Sequence, residues 1–415
     1  MFAPSSTASA RPIRAKGQID PMLPLSGLRV IAIEQYGAGP FGSMMLADLG
    51  AEVLKVENPA EGGDVGRSVG PHFFANGDSH FFQSFNRNKK SLTLNLKHPQ
   101  AAPVLHALVR TADATFDNLR GDQPERLGVT YAQLERINPR IVCTHLSAYG
   151  REGSRKTWPG YDYLMQAEAG YLAVSGEPDG PPSRMGLSIV DLMTGLNAAF
   201  ALVSGVLSAR ATGRGRDIDV NLFDTALQNL GYLAVWYLNA GVNQGREPRS
   251  SHPSLTPSQL YRTRDGFIFI MCNKEKFWPE LCRLIGRPEW SRRPEYENFK
   301  ARLANRAKLT QDLDAVLSTR TTAEWIEVFG GRVPAAPVCD VRGALENPFV
   351  READRIRSVD HPSGRIRLLA PSVVCAGEEA PCAAAPALGA DSDAILSEVG
   401  FTDTEIAELR RVGAL

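Results

Sequence analysis

Between residues 28 and 147 the sequence alternates two periodicities, and this alternation restricts the fold more than any other feature. Leu28 to Ile33 is a short apolar run rich in β-branched residues, "FGSMMLADLG" puts Phe41, Met44, Met45 and Leu49 at helical spacing, and "EVLKVE" returns to strand. "KKSLTLNL", "DATFDNL" and "RIVCTHLSAYG" read as further strands, with "AAPVLHALVRTA" and, after the turn at Gly128, "TYAQLERIN" as helices. Repeated βα units predict an α/β fold with a largely parallel sheet covered by helices. The long stretch "SIVDLMTGLNAAFALVSGVLSARATG" follows as one helix, stopped by Gly213 and Gly215.

The texture changes after about residue 245. "NQGREPRSSHPSLTPSQ" is a loop-rich connection, "LYRTRDGFIFIMCN" a hairpin around Asp265 and Gly266, and "KEKFWPELCRLIG" an amphipathic helix, together a second, smaller α+β unit. The chain closes on "FTDTEIAELRRVGAL", where Thr402 and Glu405 form a capping box. The expected organisation is a disordered extension over 1–23, a large unit over 24–225, a linker and small unit over 226–330, and a C-terminal part over 331–415.

Composition excludes several classes. Forty-six basic and 46 acidic residues in 415 balance to zero, against a general nucleic-acid or membrane-surface binder, so any anion site must be local. No run of 18 apolar residues suggests a membrane span. The six cysteines are scattered with no C-x-x-C and no histidine pair, as in reduced cytosolic thiols rather than a disulfide framework or a metal site, so a cytoplasmic location is expected. The first 20 residues are rich in Ser, Ala and Arg; a disordered extension is expected, with a mitochondrial presequence as the alternative.

Gly37, Gly39 and Gly42 have the G-x-G-x-x-G spacing of a dinucleotide-binding turn, and Glu57 sits where the ribose carboxylate would. In that fold the first glycine directly follows the strand. Here Glu34, Gln35 and Tyr36 intervene and Pro40 lies inside the motif, so a nicotinamide oxidoreductase is only a remote alternative.

Longer stretches carry a different resemblance. "PLSGLRVIAIEQYGAGPFGSMMLADLGAEVLKVENP", "NRNKKSLTLNLKHP", "DNLRGDQPERLG", "GYDYLMQAEAGY", "DLMTGLNAA" and "TGRGRDIDVNLFDTAL" look like the class III CoA-transferases, the family of formyl-CoA transferase and carnitine CoA-transferase, in order over roughly residues 24 to 415. The resemblance implies a Rossmann-like large domain completed by the C-terminal part, and an interlocked homodimer with the site at its interface. It also implies transfer of CoA between carboxylic acids, with no permanently bound cofactor, no metal, and CoA entering as part of the substrate.

The family's nucleophilic carboxylate falls at Asp162, which on bare sequence reads as a turn or N-cap aspartate. It would form an anhydride and then an aspartyl-CoA thioester. Near it, Tyr36, Gly37 and Ala38 are expected to contact substrate, with backbone N–H groups at Gly37 and Ala38 facing the oxyanion. Formyl-CoA transferase has glutamine where this chain has Gly37, which suggests room for a larger acyl group. For the CoA phosphates the resemblance points to Arg87, Lys89 and Lys90 in "NRNKKS" and to Arg120 and Arg126. His145 reads as a packed core histidine. The related 2-methylacyl-CoA racemases use Gly-His-Asp where this chain has Gly160, Tyr161 and Asp162, so transfer is favoured over racemisation. The loop "HPSLTPSQ" is more like that of transferases using succinyl-CoA and other dicarboxylates; Arg184 and Arg249 are candidates for a distal carboxylate, with a plain surface role the favoured reading of each.

Overall fold

The computed structural model describes residues 23–375 and 378–415; the expected N-terminal extension, Leu23 apart, lies outside them. The parallel sheet is formed by β1 (Arg29–Ile33), β2 (Glu52–Glu57), β3 (Lys90–Thr93), β4 (Ala114–Asp117), β5 (Val142–Ser147) and β6 (Arg216–Asn221), in the order β3-β2-β1-β4-β5-β6. Helices cover both faces, so β1, β4 and β5 are buried along their length, and polar side chains such as Thr115, Asp117 and His145 are buried with the apolar ones. One face packs Val30, Ala32, Phe116 and Val142 against the helices Ala38–Asp48 and Ile189–Thr212. The other packs Ile31, Leu54 and Leu92 against the helix Ala101–Thr111 and the C-terminal helices Ser392–Glu398 and Asp403–Arg411. The strand order reverses between β1 and β4, which opens a crevice at their carboxyl ends.

The smaller unit is an antiparallel sheet of β7 (Ser258–Arg262), β8 (Phe267–Met271) and β9 (Ala335–Pro337) around Tyr261, Ile270, Trp278 and Leu313. Its third strand falls past the expected boundary at 330, because Ala335–Pro337 pairs with β8. The chain then forms the hairpin of β10 (Ile356–His361) and β11 (Gly364–Leu369), which Arg87 ties to the large unit through the Leu369 carbonyl at 3.2 Å.

The chain exposes 22808 Å², whereas a compact monomer of this length exposes about 16,000 Å². The 24 residues outside the description are too few to supply that excess. Part of it is apolar. Leu196, Phe200 and Leu207 form one exposed stripe along the helix Ile189–Thr212, and Tyr237 and Leu238 are exposed on the helix Tyr232–Ala240. By length and apolar composition the helix Ile189–Thr212 could cross a bilayer; here its inner face, with Val190, Ala198, Leu202 and Val206, packs in the core.

Candidate active site

Two helix N-termini converge on one spot, and four glycines allow it. The helices Ala38–Asp48 and Ile189–Thr212 cross so closely that a Cβ on Gly42 would lie 2.4 Å from the Gly195 carbonyl oxygen, and one on Gly195 would lie 2.3 Å from that of Ala38. A Cβ on Gly39 would meet Asn118, and one on Gly37 would stand 2.8 Å from Asp191 Oδ2. The G-x-G-x-x-G spacing thus serves helix packing and a carboxyl group. Glu57, the would-be ribose ligand, accepts from Arg67 Nε and Nη2, both at 2.7 Å, and from Ser91, which closes it to a ribose.

The turn from β1 into the first helix is strained and pinned. Tyr36 adopts φ 70°, a left-handed conformation unfavourable for a side chain of this size. Its N–H donates to Asp64 Oδ1 at 2.9 Å, while the Gln35 N–H and carbonyl are both held by Asn118. The N–H groups of Gly37 and Ala38 have no acceptor among the described residues and open the first helix.

Beneath this turn lies a buried charge network. Lys55 Nζ is ion-paired with Asp64 Oδ2 at 2.8 Å and donates to the Glu34 carbonyl at 3.1 Å, and Lys89 Nζ donates to Glu34 Oε1 at 2.7 Å, to the Pro40 carbonyl and to Asn86. Burial opposes the charge on both lysines. At Lys55 the carboxylates of Glu34, Asp64 and Glu57 outweigh it and the pKa is raised; at Lys89 Glu34 only partly offsets it, with Lys55 repelling, and the pKa is held down to about 8.

This network revises three of the phosphate ligands expected from sequence. Lys89 is fully enclosed and its three hydrogen bonds are spent, so it holds the turn and does not reach a phosphate. Arg87 is buried on Asp48, which it grips at 2.8 and 2.5 Å. Lys90 is exposed, but it begins β3 at the end of the sheet away from the crevice and pairs with Glu52.

The crevice itself is a cleft of about 420 Å³ over the carboxyl ends of β1 to β4, lined by Gln35, Val56, Asn58, Leu96, Lys97, Asn118 and Arg120 among others. That volume is within the range that small-molecule sites occupy. Arg120 reaches it while paired with Asp122, and Lys97 stands at its rim beside Glu61. Arg126 also pairs with Asp122 but lines a neighbouring depression with Arg151 and Lys156. Lys97 was not foreseen, although its position just past β3 in a parallel sheet is a signal for it.

Asp162 lies beyond the Gln35 end of the cleft, across the Tyr36–Gly37 turn. It opens the helix Asp162–Glu168, yet it does not cap it. Instead Asp162 Oδ2 accepts the N–H groups of Val190 at 2.7 Å and Asp191 at 3.0 Å, so it caps the neighbouring 24-residue helix. Among the described residues Oδ1 accepts only from Gln166 Nε2, at 2.6 Å. The carboxylate is 4% exposed and, among the described residues, no cation pairs with it; helix N–H groups and the helix dipole favour its charge. Burial, and then the Asp162 charge, push Asp191 up to about 7. The room that glycine leaves at position 37 is filled by the Asp191 carboxyl rather than left for an acyl group.

Around Asp162 the rings of Tyr36 and Tyr161 stand 6.4 Å apart, both exposed, and Phe81 lies 5.1 Å from Tyr36. Gln166 also binds the strap that follows, through the Met185 N–H and the Leu187 carbonyl. Arg184 on that strap lies over the Tyr163 ring at 4.1 Å and has no carboxylate partner among the described residues. Arg249 is committed to Asp314 at 2.6 Å. His145 is buried in the core, with Nδ1 2.6 Å from Asp117 and Nε2 2.9 Å from Asp217; burial opposes its charge, but these carboxylates outweigh it and raise the pKa to about 9.

The sequence model of CoA-transferase family III matches residues 25–392. The chain is 33% identical over 362 residues to the succinyl-CoA:glutarate CoA-transferase of Mus musculus, covering 87% of this chain and 82% of that one. It is 30% identical over 387 residues to the succinyl-CoA:mesaconate CoA-transferase of Haloarcula marismortui, covering 91% and 96%. Among solved structures, a CAIB/BAIF family protein from Brucella suis superposes with a TM-score of 0.79 at 29% identity, covering 91% of this chain and all 100% of the other. On fold, sequence and extent of match together, the chain belongs to CoA-transferase family III and is an enzyme of that class.

Proposed function

We propose that this enzyme moves CoA from an acyl-CoA thioester to a carboxylic acid through Asp162, with a dicarboxylate such as succinate or a relative as donor or acceptor. The observation that carries the reading is the Asp162 carboxylate, buried without a counter-ion among the described residues, oriented by fixed N–H groups on Oδ2, and held on Oδ1 by one amide. A carboxylate so placed is poorly solvated and pre-positioned, as a nucleophile needs.

One Asp162 oxygen bonds to the thioester carbon and the C–S bond breaks, giving a mixed anhydride and CoA thiolate. The thiolate attacks the aspartyl carbonyl and expels the donor acid as carboxylate, leaving an aspartyl-CoA thioester. The acceptor carboxylate repeats the exchange in reverse and frees Asp162. No proton is consumed.

The cleft over β1 to β4 suits the CoA moiety, with Arg120, Lys97 and Arg126 near its phosphates, and Tyr36, Gly37 and Ala38 lead from it to Asp162. Arg184, which has no carboxylate partner among the described residues and lies on the strap over Asp162, suits the far end of a diacid. The exposed apolar stripe and the excess surface support an interlocked homodimer, which sedimentation velocity would test through the particle mass.

The decisive experiment is incubation with an acyl-CoA donor and no acceptor, followed by hydroxylamine. Peptide mass mapping should find a hydroxamate at Asp162. A label on another carboxylate moves the nucleophile, and no label with any reactive donor overturns the route.

A further inference from the structure

The Asp191 side chain has no part in that route, and its surroundings set it apart. Its own N–H donates to Asp162 Oδ2, while its carboxyl turns to the Gly37 turn, where Oδ2 would be 2.8 Å from a Cβ. It is 8% exposed, and among the described residues no donor or cation reaches either of its oxygens. The other buried carboxylates of the large unit are all matched: Glu34 by Lys89, Asp48 by Arg87, Glu57 by Arg67, Asp64 by Lys55, Asp117 by His145, and Asp162 by helix N–H groups. An unmatched buried carboxyl is costly, and as an anion it would repel Asp162, the substrate acids and the thiolate alike.

The geometry points to Asp191 as a neutral hydrogen-bond donor in the reaction, its O–H directed beside the Gly37 turn at the oxygen that becomes negative when a carboxylate adds to the thioester or anhydride. This role rests on the reading of Asp162 as nucleophile. In each addition the carbonyl π pair moves onto that oxygen and the Asp191 proton is shared with it; collapse restores the carbonyl, breaks the bond to the leaving group, and leaves the proton on Asp191. The N–H groups of Gly37 and Ala38, without an acceptor among the described residues, belong to the same turn. Donors of this kind act on charge present only in the transition state.

Protonation is supported by the environment, since burial and Asp162 raise the Asp191 pKa to about 7. The other charged groups on elements packed against its helix are spent elsewhere. Asp48 binds Arg87, Glu168 binds Tyr149 and Arg155, Asp224 binds Asn221, His145 lies between Asp117 and Asp217, and Asp219 binds Arg151.

The test is the pH dependence of transfer by the full chain between pH 5.5 and 9, with hydroxylamine trapping at Asp162 run beside it. In the parent, kcat should be level at low pH and fall about tenfold per unit above a transition near 7. Asp191→Asn, which keeps a neutral donor, should stay within about tenfold of that plateau and lose the alkaline limb. Asp191→Ala should lower kcat about 100-fold with little change in KM for the CoA ester. A level parent profile to pH 9, an alkaline limb that persists in Asp191→Asn, or an Asn variant as slow as Ala overturns the inference while a hydroxamate at Asp162 leaves the nucleophile standing. Should Asp191→Asn fail to fold, Gly37→Ala, whose Cβ presses on Oδ2, must shift the limb, and an unmoved limb counts against it. A parent that gives no label at Asp162 overturns the nucleophile and this role together.

Discussion

Gly42→Ala tests the crossing of the two helices. In an exposed helix the change would gain about 1 kcal/mol, because alanine loses less backbone freedom than glycine. Here the new methyl would sit 2.4 Å from the Gly195 carbonyl oxygen and 3.0 Å from Phe116 Cζ, whereas ordinary contact begins at 3.4 Å. The helices must part by about 1 Å, and overpacking of this kind costs about 1–3 kcal/mol. The clash cancels or outweighs the propensity gain, so net stability should change by roughly −2 to 0 kcal/mol. Activity should suffer more, because the same crossing sets the Val190 and Asp191 N–H groups against Asp162, and a displacement of about 1 Å at a reacting group can cost about 100-fold. The assay pairs urea unfolding with transfer kinetics on the same preparation. A variant that is stabilised by about 1 kcal/mol and fully active would show that the crossing does not position Asp162.

Asp162→Ala should abolish transfer yet bind CoA, and turnover above a few per cent of the parent would remove it as nucleophile. Lys97→Ala and Arg120→Ala should each raise KM for CoA esters several-fold, whereas Lys89→Met should act on stability, by about 1–3 kcal/mol, since it takes the nearer of two lysines from buried Glu34 and leaves Lys55 at 3.6 Å; the reverse pattern in titrations of binding and unfolding would refute the division between them. Arg184→Met should weaken dicarboxylates and leave monocarboxylates unaffected, and equal loss for both would release Arg184 from that role. His145 is held at about 9 in the fold against about 6.5 unfolded, so its contribution is complete below pH 6.5 and disappears as pH rises through 9. Unfolding free energy should drop by on the order of 3 kcal/mol between pH 6 and 10 relative to His145→Gln, and parallel curves for the two proteins would contradict this.

Where burial on both faces writes itself into composition, the sequence was legible. β1 is an apolar run after Arg29, β2 to β5 alternate with helical patterns, the capping box at Thr402 and Glu405 forms, and Gly213 stops the long helix. β6 escaped notice as a strand because "RDIDVN" lies at the sheet edge, half covered, with Arg216, Asp217 and Asp219 in it. Charge was misleading in "NRNKKS": a basic cluster looks the same whether it meets phosphate or buried carboxylates, and Glu34, Asp48 and Glu52 are 38 to 55 residues away in the chain. The three glycines were visible, but their partners Asn118, Asp191 and Gly195 come from distant segments that only the fold brings together. Asp162 was placed by resemblance, not by local pattern, since its work as a cap is done for another helix.

That borrowed cap couples the catalytic cycle to folding stability. On the proposed route, an Asp162 bearing an acyl group or CoA has no charge, and the N–H groups of Val190 and Asp191 exchange an anionic acceptor for at most a neutral carbonyl at the start of a 24-residue helix. Losing an anion at a helix start costs about 0.3–1 kcal/mol, and weakening the cap adds up to about 1 kcal/mol. Every covalent intermediate is therefore raised by roughly that amount relative to the free enzyme, and the fold itself draws the aspartyl group back to carboxylate. The scaffold works as a weak spring, loaded when the donor arrives and released when the acceptor leaves.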